Sequence, residues 1–448
     1  MKKESSVVSR GDVTMIKYTI DVINEAGAEQ ALLDLVLADF ATAFQAWSSV
    51  LTANITLSVR FEILNQTISG RFQGGPASTL NIGKKDGLTV WEGAASYELR
   101  TGLNSGKEYD ILVQANINHL RDAVYFGSNI EPDKVSAVST IVHELGHGIG
   151  FVGWRDDTTG LLPGDYQSPF DSHIIMKDDL PYFDGVNAIK AYGGLVPLTQ
   201  GNLFHLGNSA PKPGADLVDD LMNGVVFKFA TDYPISDLDL AILADLGIGT
   251  RNSDILAAPL SGQMLNAGAG FDTITFDAGS VDYTFSYIED TLAVSGQSAP
   301  YSATIAGAER ITFTDRILAL DIDGHAGQSY RIYKAALDRS PDAAGLTFWT
   351  AAMDDGMSLT DLAYSFVSSP EFVARYGQKP TNERYVQLLY ENILGRQTDE
   401  AGYDFWVGAM DDGLTMEDLL LGFSESLEGK AVVIGEISNG IWLNAQIA

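Results

Sequence analysis

Ile16, Tyr18, Ile20 and Val22 alternate with Lys17, Thr19 and Asp21, the period-two pattern of a strand with one buried face. Leu33, Leu37, Phe40, Phe44 and Trp47 then recur every three or four residues, which predicts a long amphipathic helix packed by aromatic side chains, with Trp47 in the core. Leu57, Val59, Phe61 and Ile63 alternate again as a second strand. Gly and polar residues dominate 69–107, read as loops with short strands, and 110–117 reads as a further strand. Val138, Val142, Leu145 and Ile149 return to helical period and would face a core; Pro132 suits a first turn, with Asn129 or Ser128 as its cap. Strand, long helix, strands and a second helix in this order predict an α+β domain with a helix-backed twisted sheet.

That second helix carries the chemistry. His143-Glu144-Leu145-Gly146-His147 is an H-E-x-x-H pentapeptide. Residues four apart on a helix stand one above the other, so both imidazoles can reach one metal ion. Glu144 points near the same place without being a ligand, where it can take a proton from water as a general base. The bland reading is two polar histidines on an amphipathic helix. Gly150 weighs against it, because it ends the helix where a metalloprotease needs the chain to turn away.

Composition narrows the setting. The 448 residues can hold two or three domains with cores. Asp plus Glu number 59 against 28 Lys plus Arg, a formal charge of -31. That balance argues against nucleic-acid or anionic-membrane partners; it suits solubility, salt tolerance or calcium loading, and equally a plain solvated acidic surface. Cysteine is absent, so a zinc site here must draw on His, Asp or Glu. Met1-Lys2-Lys3-Glu4-Ser5-Ser6 has charge with no apolar stretch behind it, so no standard N-terminal signal peptide is expected. No apolar run reaches the ~18 residues of a membrane span.

A third metal donor must come from outside the helix, since Gly153 stands where a short-spaced third histidine would fall. His119, His173 and His205 are the candidates in this half. His205 is favoured over His173: Gly201, Gly207 and Pro211 surround it, and Leu221-Met222-Asn223-Gly224 follows. H-E-x-x-H-x-x-G-F, a long insertion, a separate histidine and a Leu-Met turn resemble the leishmanolysin-like branch of the metzincin zinc metalloproteases. The resemblance covers about residues 10 to 250. It implies that His143, His147 and His205 bind zinc, that Glu144 is the base, and that Met222 forms the methionine turn beneath the metal. The segment 235–247 looks like the helix that closes such domains. The chain departs from the family in lacking the cysteines of its eukaryotic members, and in lacking a tyrosine soon after Met222, which leaves oxyanion stabilisation unassigned.

From about 251 to 325 the composition turns to Gly, Thr, Ser and β-branched residues, a β-rich connector with short strands at 311–313 and 317–320. Gly268-Ala269-Gly270-Phe271-Asp272 matches one degenerate turn of the RTX calcium nonapeptide, with Gly268, Gly270 and Asp272 as candidate calcium residues; a simple Gly turn fits as well. Residues 326–448 hold an internal repeat. Arg339, Asp342, Gly345, Phe348-Trp349 and Met353-Asp354-Asp355-Gly356 return as Arg396, Asp399, Gly402, Phe405-Trp406 and Met410-Asp411-Asp412-Gly413. Helical periodicity at 330–337 and 384–394 makes each copy a small all-α unit, with the tryptophans as core and the Asp-Asp-Gly turns as connections or partner contacts. The pair resembles a repeat of unknown function found in bacterial secreted proteins, often beside RTX-type repeats. That resemblance implies type I export with an uncleaved C-terminal signal, a reading the uncharged stretch 437–448 permits.

The expectation is therefore a secreted zinc endopeptidase acting on proteins or peptides: a metzincin-like α+β domain at 1–250, a β-rich segment at 251–325 and an all-α module at 326–448. Residues 326–448 would meet secretion machinery or a cell-surface partner. Two other readings stand beside it. One is a non-catalytic surface or adhesion protein with structural zinc, which has no need of Glu144; the other is metal-dependent hydrolysis of a non-peptide substrate.

Overall fold

Tyr18 stacks on Phe44 at 4.0 Å, Phe40 tilts against Phe61, and the Trp47 indole donates to the Val142 carbonyl at 3.0 Å. These contacts join three layers: a sheet, a first helix and the H-E-x-x-H helix. The computed structural model describes residues 2–5, 16–65, 72–207, 217–224, 227–288, 291–297 and 299–445. Pro211 and the last three residues of 437–448 lie outside the described residues.

In chain order come β1 (Lys2–Ser5), β2 (Lys17–Asn24), α1 (Gln30–Val50), β3 (Thr56–Leu64), β4 (Phe72–Pro76), β5 (Thr79–Lys85), β6 (Leu88–Gly93), α2 (Ala94–Thr101) and β7 (Ile111–Asn116). The five-stranded sheet has the order β1-β2-β3-β7-β4. Strands β2, β3 and β7 run parallel, and β1 and β4 run antiparallel at its two ends. Every second residue of β3, from Leu57 to Ile63, is buried, as alternation demands of a strand with one face on a core. Helix α1 fills the connection between β2 and β3, the usual way to join neighbouring parallel strands.

After α3 (Ile117–Asp122), the short pair β8 (Val124–Tyr125) and β9 (Val135–Ser136) leads into α4 (Ala137–Ile149). The helix thus begins where its periodicity does, and later than Pro132 and the capping residues Ser128 or Asn129 suggest. Val135 is drawn into pairing with Val124 and a small apolar cluster with Ala137, and Ser136 caps the helix by accepting the Ser139 amide. Gly150 is its C-cap. Val142, Leu145 and Ile149 are buried in the main core, with Val138 packed against it.

Helix α2 is the element the sequence does not announce. It buries Ser96, Glu98, Arg100 and Thr101 together with Ala94, Ala95 and Leu99, so no clean apolar stripe stands out. Arg100 makes a buried ion pair with Glu92 at 2.7 Å and donates to the Met264 carbonyl and Gln263. Hydrophobic periodicity is weak where buried charged and polar residues stand among the apolar ones.

Then follow β10 (Tyr166–Gln167), parallel to β6, and the four-stranded β11 (Ile174–Lys177), β12 (Leu180–Phe183), β13 (Val196–Thr199) and β14 (Asn202–Leu206), with α5 (Val186–Tyr192) between β12 and β13. Helix α6 (Asp237–Asp245) starts at a Ser236–Asp239 capping box. Beyond it lie the parallel pair β15 (Ile255–Ala257) and β17 (Thr273–Thr275), and the sheet β16 (Gln263–Asn266), β20 (Ser302–Ala306), β19 (Thr291–Gly296) and β18 (Tyr283–Ile288). All these belong to one compact unit, Met1–Thr275 with Tyr283–Ala308.

The second unit, Phe276–Asp282 with Glu309–Ala448, is mostly helical. Strands β21 (Arg310–Thr312), β22 (Arg316–Ala319) and β23 (Ile441–Asn444) form an antiparallel ribbon. Eight helices run between the last two: α7 (His325–Leu337), α8 (Ala343–Asp354), α9 (Leu359–Val367), α10 (Pro370–Tyr376), α11 (Asn382–Ile393), α12 (Glu400–Asp411), α13 (Met416–Ser424) and α14 (Leu427–Ile437). The two halves repeat contact for contact. Arg339 lies over Tyr333 and pairs with Glu371 at 2.7 Å; Arg396 lies over Tyr390 and pairs with Glu428 at 2.7 Å. Trp349 packs on Phe366 as Trp406 packs on Phe423, both partly buried, while the neighbouring Phe348 and Phe405 are exposed. Asp355 and Asp412 of the Asp-Asp-Gly turns are the C-caps of α8 and α12. Among the described residues no helix is long and apolar enough to cross a membrane.

Candidate metal centre

Three segments meet at one point in the first unit. Helix α4 supplies His143, Glu144 and His147; strand β14 supplies His205; the turn 220–223 lies beneath. The three Nε2 atoms stand 3.2 Å (143–147), 3.2 Å (143–205) and 3.1 Å (147–205) apart. Among the described residues this is the one set of three or more His, Asp or Glu able to meet on a single ion.

What the other ring nitrogens do fixes the chemistry. His143 Nδ1–H donates to the Leu221 carbonyl at 2.7 Å, and His147 Nδ1–H to the Phe151 carbonyl at 2.7 Å. A neutral imidazole has one N–H, so both Nε2 atoms are bare lone pairs turned toward each other and toward His205. Burial drives all three rings to the neutral form. His143 is pushed down to about 3 by desolvation and then by His147, against the Leu221 bond. His147 is lowered by burial, and His205 falls well below its ordinary value through burial and then its two neighbours. Lone pairs crowded this closely repel unless a cation sits among them. The fit is good: four-coordinate zinc–nitrogen bonds of about 2.0–2.1 Å separate ligand nitrogens by roughly 3.3–3.4 Å. The group can bind a metal ion.

Glu144 is buried beside the triad. Desolvation raises its carboxyl to about 8, opposed by the Gly74 amide of β4. A divalent cation in the triad would pull that value back down and favour the carboxylate.

The supports reach across the fold. Met222 is fully buried, and its sulfur lies close to where a side chain on Gly146 would start, so the turn sits directly under α4. The Leu206 amide donates to the Met222 carbonyl at 2.8 Å, joining the His205 strand to the same turn. Asp157 accepts the Leu203 amide at 2.9 Å and steadies the start of β14. Phe227 stands edge-on to His143, 5.5 Å away, and stacks on Tyr233.

The other candidates lie elsewhere. His173 bonds Asp184 through Nδ1 at 3.2 Å, and His119 meets Phe72 edge-on. Gly268 and Gly270 have φ of 108° and 131° and press against the backbone of Thr250 and Asn252, where any Cβ would collide. Asp272 is fully buried, and its Oδ1 accepts the Asp254 amide at 2.8 Å. Leu221, Phe151 and Asp157 carry no sequence signal for a role at the site: two act through backbone carbonyls that every residue has, and one through a surface-type side chain.

Comparison with known proteins reaches the other unit. A family model described as a domain of unknown function, DUF4214, matches residues 363–433, from within α9 to within α14 of the helical repeat. No curated protein matches the chain.

Proposed function

We propose that the chain is a zinc-dependent endopeptidase with a metzincin-like catalytic unit, exported from the cell with the help of residues 326–448. The observation that carries this reading is the convergence of three imidazole nitrogens within 3.2 Å of one another, two of them left bare by their partners, beside a buried glutamate that is not one of the three. A purely structural site has no use for that carboxylate. Zinc, when bound, supplies the Lewis acidity that activates water and polarises a scissile carbonyl.

The rest is the work of the chain. The Leu221 and Phe151 carbonyls hold His143 and His147 in the ligating tautomer. Glu144 takes the proton of the attacking water and returns it to the leaving amine. Strand β4 is terminal in its sheet among the described residues, and its Gly74 touches Glu144. An extended peptide pairing along β4 would bring its backbone to that carboxylate.

Glu144→Gln should retain bound metal and fold while peptide hydrolysis falls by about a hundredfold or more, since the general base goes and the ligands stay. Hydrolysis near the parent rate would overturn the mechanism. His205→Ala should lose metal under mild chelation while His173→Ala keeps it, read by metal stoichiometry. Unchanged secretion of a chain lacking 326–448 in its native host would remove the export role.

A further inference from the structure

Beneath the triad lie two carboxyl groups that the proposed hydrolysis does not use. Asp239, on the first turn of α6, is completely buried, and Asp220, at the head of the turn, nearly so. Asp220 Oδ1 accepts the Met222 amide at 2.9 Å and Oδ2 accepts the Ser236 hydroxyl at 2.8 Å. Asp239 Oδ2 accepts the Ser236 amide at 2.8 Å. Asp239 Oδ1 is buried and receives no N–H or O–H, while Asp220 stands within side-chain hydrogen-bond range. Neither carboxyl has an ion-pair partner among the described residues; the nearby Lys228 pairs with Asp219 at the surface. Two carboxylates so placed would repel in a low-dielectric interior, and one proton between them removes the repulsion and supplies the missing donor.

We propose that Asp220 and Asp239 share one proton, and that this acid pair positions the turn on which two of the three histidines depend. The inference rests on the metal-binding reading of the triad. Asp220 holds the Met222 N–H; the preceding carbonyl, Leu221, takes the His143 proton, and the Met222 carbonyl takes the Leu206 amide next to His205. The pair thus ties both ligands to the capping box of α6. Burial and the neighbouring Asp220 together raise Asp239 well above the ordinary carboxyl range, as a resident proton requires.

The test uses the full chain loaded with Co2+, whose visible spectrum reports ligand geometry without any hydrolysis. Asp239→Asn replaces the shared proton by an amide N–H. It should fold, lose one carboxylic C=O band in the infrared difference spectrum against the parent, and leave the cobalt spectrum unchanged. Asp220→Ala should alter that spectrum and speed cobalt release to a chelator about tenfold or more, the usual scale for lost support behind a metal ligand. Asp39→Ala, which removes another buried carboxylate that caps Gly127, is the control for stability alone. If Asp220→Ala does not fold, Asp220→Asn still accepts the Met222 amide through its carbonyl. The Asp239 carboxylic band should then shift, because its acceptor has changed. No lost band in Asp239→Asn, an unshifted band in Asp220→Asn, or cobalt behaviour in Asp220→Ala matching Asp39→Ala would each overturn the proposal. A parent protein that binds cobalt but cleaves no peptide would remove the endopeptidase reading and leave these readouts in force.

Discussion

A histidine ligates through whichever nitrogen lacks a proton, so its role is decided by what the other nitrogen touches. At His143 and His147 the deciding groups are main-chain carbonyls, whereas His173 gives Nδ1 to Asp184. The four-residue spacing of the pair was readable from the sequence, and so was Glu144 beside it. What brings His205 to them was not: the Leu206–Met222 bond joins strand β14 to the later turn through backbone atoms. Burial also tunes single residues away from the site. Asp254 accepts the Thr250 amide at 2.8 Å, and its carboxyl is raised by burial to about 6. A raised carboxyl favours the folded state when protonated, so this contribution is complete below about pH 3.8 and disappears as pH rises through 6. Asp254→Asn can keep the Thr250 contacts and does not titrate. Relative to the parent it should gain on the order of 1–3 kcal/mol between pH 4 and pH 7 in denaturant melts. A constant difference between the two proteins across that range would refute the assignment.

At the scale of elements, the strands and long helices whose burial follows a simple period were legible, among them β2, α1, β3 and the body of α4. The failures share a cause. The start of α4 was misjudged because Val135 pairs with a strand eleven residues earlier, a tertiary demand that local capping signals do not contain. Helix α2 escapes the period because Glu98 and Arg100 are buried on it beside Ala95 and Leu99, with Arg100 paired to Glu92. Helix α4 also depends on a close approach that only its glycines allow. A Cβ on Gly148 would lie 2.6 Å from Ile111 Cγ2 and 2.9 Å from its Cγ1, on the strand the helix crosses. Gly148→Ala should therefore destabilise by roughly 1–3 kcal/mol, as overpacking does. In an Ile111→Ala background the obstructing atoms are gone. There the same change should be neutral or stabilising, because Ala favours a helix over Gly by about 1 kcal/mol. The double-mutant cycle measures this coupling directly. Additive losses would mean that the helix seat is set elsewhere.

Over the whole molecule, the change of composition near residue 251 suggests that the unit holding the histidine triad ends there, yet its contacts continue. Arg100 donates to the Met264 carbonyl and Gln263, the Asn187 side chain donates to the Ile255 carbonyl at 2.6 Å, and Asn266 donates to the Thr52 carbonyl. Strands β16, β20, β19 and β18 complete the same compact unit, which runs to Ala308. Cutting at 250 would take half the acceptors from a buried guanidinium and remove Leu256, Leu265 and Ile274, all fully or almost fully buried in the whole chain. Lost hydrogen bonds to a buried charge cost about 1.5–3 kcal/mol each, before any apolar surface is counted. A chain ending at 250 contains every residue of the triad and its supports, so on contacts within the site alone it should bind metal as well as one ending at 308. Stability separates the two: the shorter chain should unfold at least about 2 kcal/mol more easily in urea and release metal faster, through opening of the whole unit. Equal urea midpoints would mean that residues 251–308 lean on the triad-bearing unit without supporting it, and would return the boundary to the place where the composition changes.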